Sequence, residues 1–338
     1  MRVLQVVPQL PPALCGVGDF ATVLGRRMQA ELGVESNYVA VGHLVCNTAE
    51  AGDLIFTAAR DMDAVLVHYS AYGYQKHGVP FSFVAALERL SQTGMRVVTM
   101  FHELSATGPM TSKAFWVGRF QRALITRLAN ASAAVRTNRA AYRSQLEELA
   151  PRHRGQVGAM PVFSNFGESA QIKPIADRNR KLVLFQPPAF EKGSLFWRTW
   201  MNLNEKLGPT ETLVAGRAKT LPKEVTQLGI VSVEEAEQLL TDNMWALVDY
   251  YPGYLGKSGI FAAHAAHGIV VYSCRGLQAE DEGLRAGTHY LVDGMKDNDL
   301  QGMTERLHGW YQGHSQAVSA RSFAEQLAGS LVAQISSE

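Results

Sequence analysis

The sequence predicts an α/β chain built on two doubly wound parallel sheets, and three observations carry that expectation. Apolar runs of strand length alternate with segments of helical period along nearly the whole chain, the pattern of repeated βα units. The strand runs are apolar at successive positions, as in parallel strands covered by helices on both faces. The alternation stops once, in PRHRGQVGAMPVFSNFGE (151–168), where Pro, Gly and polar residues break the helical period, and then resumes. At 338 residues the chain is also longer than a single core usually grows, which fits two domains.

In the first series the strands are Val3–Val7, Ser36–Val41, Ala64–His68, Arg96–His102 and Ala133–Thr137. The helical segments between and after them are Phe20–Leu32, Asn47–Arg60, Pro80–Gln92, Ser112–Ala129 and Arg139–Leu149. The second series begins with strand Leu182–Gln186, helix Leu195–Leu207 and strands Glu211–Ala215 and Gly229–Val231. Helix Val233–Leu240, strand Ala246–Tyr250, helix Gly259–His267 and strand Val270–Ser273 complete it. Two last helices, about Asp299–Gln312 and Ala317–Ile335, have no strand after them, and the second carries an apolar stripe through Phe323, Leu327 and Leu331. The expected domains are 1–165 and 166–315, with 316–338 returning toward the first.

Composition is that of a globular protein, with 46% apolar and 19% charged residues. The net charge of +1 hides an asymmetry: residues 1–165 hold 16 Lys and Arg against 11 Asp and Glu, and the rest 16 against 20. Within 112–154, Lys113, Arg119, Arg122, Arg127, Arg136, Arg139, Arg143, Arg152 and Arg154 face only Glu147 and Glu148, with Phe115, Trp116 and Phe120 interleaved. This is either a set of solvated helix faces or a patch for an anionic membrane surface or an anionic acceptor. No nucleic-acid-binding motif accompanies it, so nucleic acid is not an expected partner. Cys15, Cys46 and Cys274 are odd in number and widely spaced, which suggests neither a disulfide framework nor zinc, and fits a reducing cytoplasm. The start, MRVLQVVPQL, is too short an apolar run for a signal peptide, and no segment is long enough to span a bilayer. Membrane contact, if made, is expected to be peripheral, at the inner face.

The most telling stretch is Trp245–Ser273, a βαβ unit whose helix opens on GKSG. A helix start collects unpaired N–H groups and the positive end of the macrodipole, so Lys257, Ser258 and Gly259 form a candidate phosphate cradle. Lys192, in FEKG after the first strand of the second series, and Arg217, after the next strand, lie at the same carboxyl edge and add cations. In the first half, Gly16 and Gly18 follow the first strand and admit close backbone approach. With Ala21 they also read as GxGxxA, a weak match to a dinucleotide fingerprint, because a longer loop with two prolines precedes the first glycine. His68 ends the third strand, followed by Tyr69 and Tyr72, and His102 with Glu103 ends the fourth. His102 beside a carboxylate can donate a hydrogen bond or hold a charge near neutral pH. Asp249 is either packed or bonded to ligand hydroxyls, Glu280–Asp281–Glu282 is either a solvated loop or a sugar contact, and His264 with His267 lacks a third metal ligand.

The segments GVGDFA (16–21 from Gly16), HYSAYGY (68–74), FHEL (101–104), RTN (136–138), SNFGE (164–168), EKG (191–193) and KSGIFAAHAAHG (257–268) together resemble the GT-B glycosyltransferases, specifically the retaining family-four group that uses nucleotide sugars. The resemblance spans nearly the full chain. It implies two Rossmann-like domains facing across a cleft, a nucleotide-sugar donor held mostly by the second, a glycan or lipid-linked acceptor held by the first, and no metal or separate cofactor. It also implies a terminal helix crossing back onto the first domain, and places Asn138 and Asn165 with His68, Tyr69, Tyr72 and Glu103 among the substrate contacts. His102, Lys192 and Lys257 are the expected catalytic set, in glycan or polysaccharide synthesis. Three departures stand out. The family's paired glutamates, which serve the sugar and the ribose, fall near Leu255 and Ala263, and its usual arginine falls near Pro187. The lost glutamates motivate a second expectation, a non-catalytic nucleotide-sugar binder or partner subunit. A nicotinamide-dependent oxidoreductase is weaker, since strand Ser36–Val41 ends in Gly42–His43 and not in a ribose-binding acid.

Overall fold

The computed structural model describes residues 1–13, 15–42, 49–218, 220–275, 280, 282–296 and 299–329. His43, Cys46, Asn47, Asp281, Leu331 and Ile335, all used above, lie outside the described residues. The chain forms two compact units, one made of Met1–Pro161 with Gln316–Glu338, the other of Val162–Ser315.

The first unit runs β1 (Arg2–Val7), α1 (Gly16–Leu32), β2 (Glu35–Ala40), α2 (Ala49–Ala59), β3 (Ala64–Tyr69), α3 (Ala71–Tyr74), α4 (Phe81–Gln92), β4 (Arg96–Phe101), α5 (Lys113–Ala131), β5 (Ala134–Thr137), α6 (Ala140–Leu149) and β6 (Gly158–Ala159). The second runs β7 (Asn179–Phe185), α7 (Leu195–Leu207), β8 (Glu211–Ala215), β9 (Val225–Gly229), α8 (Val233–Asp242), β10 (Asn243–Val248), α9 (Gly259–His267), β11 (Val270–Ser273), β12 (Leu291–Val292) and α10 (Leu300–Gln312). A last helix, α11 (Gln316–Ala328), belongs to the first unit. β9 begins ahead of the expected Gly229–Val231, because this edge strand is largely exposed and offers no apolar run to read.

The sheets are parallel, in the orders β2-β1-β3-β4-β5-β6 and β12-β11-β10-β7-β8-β9. In each the chain first builds outward on one side of its first strand and then crosses to the other. The order therefore reverses between β1 and β3, and again between β7 and β10. Outside the carboxyl ends of strands at such a reversal, α/β proteins form their binding crevices.

Local chemistry explains where the helices begin and end. Ser112, Ser194, Ser232 and Ser258 each cap a helix by accepting from a first-turn N–H, and Ser232 with Glu235 forms a reciprocal capping box. Gly33, Gly208 and Gly268 close α1, α7 and α9 in the left-handed conformation. The first core gathers Leu4, Val6, Val65, Val67, Tyr69, Phe83, Phe101 and Leu124, and the second Leu182, Leu184, Phe196, Trp200, Trp245 and Leu247.

Helix α11 packs against α1 and is held by three arginines. Arg27 donates to the Gln316 side chain at 3.1 Å, Arg96 to the Gln326 carbonyl at 2.8 Å, and Arg136 to the Ser322 hydroxyl at 2.8 Å. The Arg136 guanidinium also stacks 4.4 Å over the Phe323 ring. Burial pulls its pKa down to about 10, with Glu325 opposing, so it stays charged at neutral pH. Part of the basic 112–154 cluster is thereby structural: Arg136 is buried, Arg127 pairs with Glu88, and Arg152 donates to the Ser132 carbonyl.

Candidate functional site

In the second unit the three candidate cations follow three neighbouring strands. Lys192 lies in the loop after β7, Arg217 in the loop after β8, and Lys257 in the loop after β10, in the sheet order β10-β7-β8. Lys192 and Arg217 are exposed and Lys257 is half-buried, its ammonium 5.5 Å over the Tyr254 ring. The chain leaves β7 through Gln186 at φ +45°, a left-handed conformation that costs a non-glycine residue energy and recurs where a backbone is held for function.

Ser258 turns out to be the N-cap of α9, its Oγ accepting from the Phe261 N–H at 3.1 Å. Its oxygen is committed to the helix, and only its hydroxyl proton is left to offer a phosphate. The N–H groups of Gly259 and Ile260, in the first turn, have no carbonyl inside the helix to meet. Asn165 sits against this turn, since a methyl on Gly259 would lie 3.5 Å from its Nδ2. The stretch of chain carrying Asn165 is tied there by Val162 N–H donating to the Gly256 carbonyl at 2.9 Å and Ser164 N–H to the Tyr311 hydroxyl at 2.9 Å.

Several neighbours resolve toward packing. Asp249 forms an ion pair with Arg275 at 2.7 Å, and that guanidinium stacks 4.6 Å from the Tyr251 ring. Glu280 pairs with Arg285, and the Glu282 carbonyl accepts from Trp310. Burial, then the nearby Asp249 charge, pushes the Cys274 thiol up to about 12, so it stays protonated. His267 Nδ1 donates to the Ala263 carbonyl of its own helix at 2.9 Å, and among the described residues no three metal-ligating side chains converge. Leu255 and Ala263, where the resemblance would put glutamates, are both buried and apolar.

In the first unit the carboxyl ends of β3, β4 and β5 bring His68, His102, Glu103 and Asn138 together. His68 is fully buried, with Nδ1 3.2 Å from His102 Nε2 and Nε2 2.8 Å from Gln5 Oε1. Burial and then the neighbouring His102 hold its pKa well below the ordinary value, so it is neutral at physiological pH. A ring without exposed surface meets no ligand directly, so His68 is a buried neighbour of His102 and not itself a substrate contact. His102 keeps 7% of its surface, and Phe20 stacks edge-on against it at 5.0 Å. Asn138 donates to the His102 carbonyl at 3.1 Å, and Glu103 accepts from Ser70 at 3.3 Å.

Two candidates change role. Tyr69 points to the opposite face from His68 by strand alternation and is buried against Tyr74 and Phe101, so it is core and not a substrate contact. Gly18 is required by the protein's own backbone: a methyl there would collide with the Gln9 carbonyl. Gly16 is exposed, with no atom within 4 Å of the place a methyl would take, and Tyr72 is exposed, so both face solvent. Gln5, Phe20 and Arg275 escaped the sequence reading; the first had a signal, a lone amide inside the apolar run VLQVV.

No family model matches the chain, and no curated protein matches it. Solved structures do. A Listeria monocytogenes protein assigned as a UDP-N-acetylglucosamine 2-epimerase superposes with a TM-score of 0.53 at 11% identity, covering 97% of this chain and 96% of that one. The α,α-trehalose 6-phosphate synthase of Burkholderia multivorans gives 0.53 at 10% identity, covering 99% of each chain. The glycosyltransferase SnogD of Streptomyces nogalater gives 0.50 at 14% identity, covering 96% and 99%. The fold is therefore that of the GT-B class, two Rossmann-like units in one chain. At these identities the likeness is one of fold.

Proposed function

We propose that the protein transfers a glycosyl group from a nucleoside diphosphate sugar to an acceptor hydroxyl with retention of anomeric configuration, in glycan or polysaccharide synthesis. One observation carries the reading: cations follow β10, β7 and β8 at the carboxyl edge, where the strand order reverses and the N-terminus of α9 opens. Sugar transfer from such a donor depends on stabilising the departing diphosphate, and preorganised cations with backbone N–H groups supply that stabilisation. In this role Lys192, Arg217 and Lys257 meet the phosphate oxygens together with the Gly259 and Ile260 N–H groups. The charge a metal would otherwise bring thus comes from side chains, and the reading is of a metal-independent hexosyltransferase. The diphosphate itself accepts the acceptor's proton. Solved structures of the same fold, one named for a UDP-sugar and one named a glycosyltransferase, support this.

His102, Glu103, Asn138 and Tyr72 on the first unit, with Gly16 admitting close approach, are proposed for the sugar and acceptor hydroxyls, and Asn165 for the donor. The acceptor is a glycan or lipid-linked sugar, handled at the cytoplasmic face of an anionic membrane. Its docking surface is the exposed side of α5 and the start of α4. Trp116 and Phe120 are 56% exposed, Phe120 rests edge-on against the exposed Phe81 at 6.4 Å, and Lys113, Arg119 and Arg122 flank them. No acidic residue occurs between Glu103 and Glu147 to oppose an anionic surface, and among the described residues no helix is long and apolar enough to cross a membrane. The packed Leu255 and Ala263 favour a second reading, a nucleotide-sugar binder without turnover.

Titration with UDP tests the donor site. A charge-assisted contact is worth about 1.5–3 kcal/mol, so Lys257→Ala weakens UDP by roughly 10- to 150-fold. An unchanged affinity removes Lys257 from the site. UDP binding with neither hydrolysis nor transfer of any UDP-sugar tried would favour the binder.

A further inference from the structure

Tyr311, near the C-terminal end of α10, holds both ends of the loop 164–168 that carries Asn165. Its ring is fully buried. The Ser164 N–H donates to its hydroxyl at 2.9 Å, and the hydroxyl gives its own proton to Glu168 Oε1 at 2.5 Å. A hydroxyl can accept and donate at once, so one oxygen closes the loop from its two ends. The interior of the loop is held as well. Phe166 N–H donates to Ser164 Oγ at 3.1 Å, and Gly167 turns at φ +69°, where a methyl would collide with the Glu237 side chain of α8. Asn165 sits in this closed turn with its Nδ2 3.5 Å from the place a methyl on Gly259 would take. Its Oδ1 is buried and meets no donor among the described residues, so on that side the backbone alone sets where the amide lies. The amide N–H groups and the first-turn N–H groups of Gly259 and Ile260 are all donors, and donors gathered at a helix start suit an anionic oxygen.

We infer that Tyr311 is a positioning residue of the donor site: through the loop it closes, it holds Asn165 Nδ2 beside the first turn of α9, where the amide donates to a phosphate oxygen of the nucleoside diphosphate. Tyr311 is buried and meets no ligand itself, so it acts through Asn165. The assignment deepens the proposed transfer reaction, and for the identity of the ligand it rests on that reading. The closure of the loop rests on the hydrogen bonds alone. Phenylalanine at 311 would keep the ring contact with His314, whose centroid is 5.2 Å away, and lose both ties to the loop.

A double-mutant cycle on the full chain tests it, with Tyr311→Phe and Asn165→Ala made singly and together and titrated with UDP. Each single change should weaken UDP by roughly 10-fold or more. The double variant should bind within about 2-fold of the weaker single one, since the loop then has no amide left to position. A hydroxyl that serves only the fold would lower the melting temperature without this coupling. UDP affinity in Tyr311→Phe equal to the parent's, or losses that simply multiply in the double variant, overturns the positioning role. A second measurement needs no ligand: in protein labelled with 15N-asparagine, the Asn165 side-chain amide signals, identified by their loss in Asn165→Ala, should shift in Tyr311→Phe. If that variant folds poorly, Glu168→Ala cuts the other tie of the loop and takes its place in both measurements. Unmoved Asn165 signals overturn the inference whether or not UDP binds. Failure of the diphosphate reading shows separately, as a UDP affinity that Lys257→Ala leaves unchanged.

Discussion

Gly16 and Gly18 look alike in the sequence, two residues apart at the start of α1, yet alanine should affect them in opposite ways. At Gly18 the new methyl would enter the Gln9 carbonyl and approach its carbon at 3.1 Å, and both are backbone atoms of a loop that cannot swing away like a side chain. Overpacking of this kind costs about 1–3 kcal/mol or more, against which the better helix propensity of alanine returns at most about 1 kcal/mol. The net loss of about 1–2 kcal/mol lowers the melting temperature by roughly 2–8 °C for a unit of this size. At Gly16 the methyl meets nothing within 4 Å and no positive φ is involved, so Gly16→Ala should stabilise the fold by about 0.4–1 kcal/mol. Circular-dichroism melts of the two variants and of the parent measure both signs. If Gly16 also backs a ligand, its variant melts higher but turns over or binds less, a split that a plain turn glycine does not give. A Gly18→Ala protein melting at or above the parent would refute the packing argument, because the loop would then have yielded without cost.

Two further outcomes follow from burial. His264 is fully buried, and neither ring nitrogen meets a hydrogen-bond partner. Burial, then the neighbouring His267, lowers its pKa from the ordinary 6.5 to about 3. Below pH 6.5 the unfolded chain therefore binds the proton the folded chain refuses, and stability falls by about 1.4 kcal/mol per pH unit until pH approaches 3. His264→Leu should remove that one-proton slope in urea melts between pH 6.5 and 4.5; parallel slopes in variant and parent would contradict it. On the surface, Trp116→Ala combined with Phe120→Ala strips two half-exposed aromatics, each worth roughly 1 kcal/mol of burial in a bilayer interface. Co-sedimentation with phosphatidylserine-containing vesicles should drop by about 10-fold or more, and equal binding of the parent to neutral vesicles would rule out the charge-guided surface.

How much was legible depended on whether the signal was local. Helices Leu195–Leu207 and Gly259–His267 could be read to the residue, because Ser194 and Ser258 mark their starts and Gly208 and Gly268 their ends in the sequence itself. β9 slipped because an exposed edge strand has no apolar run. For the site, strand-end position correctly brought Lys192, Arg217 and Lys257 to one sheet edge, since the parallel topology does that for every βα loop. What a single sequence could not show was which polar groups the protein uses on itself. Tyr69 and His68 are consecutive, but alternation sends one into the core and the other against Gln5 of β1 and His102 just beyond β4. Gly18 and Gly16 differ only in what lies across from them, the Gln9 carbonyl facing the first and open space the second.

Leu255 and Ala263 decide how far recognition of the donor rests on phosphate. Both are buried, and every residue of α9 from Phe261 to His267 is buried too. At both positions, where the resemblance expects a carboxylate, the structure has a buried apolar side chain, so neither offers a charged partner to a hydroxyl. Asp249, the nearest acid along the chain before this loop, is held by Arg275, and releasing it would break a partly buried ion pair. Among the described residues at this edge, the cations and the first-turn N–H groups of α9, with Asn165 beside them, are better matched to anionic oxygens than to a ring of hydroxyls. Binding energy should accordingly concentrate on the diphosphate: UDP and its sugars bind with similar affinity, and Lys257→Ala weakens all of them alike. A UDP-sugar binding far more tightly than UDP in the unsubstituted protein, with Lys257→Ala sparing the difference, would show that recognition rests on the sugar as well as on the diphosphate.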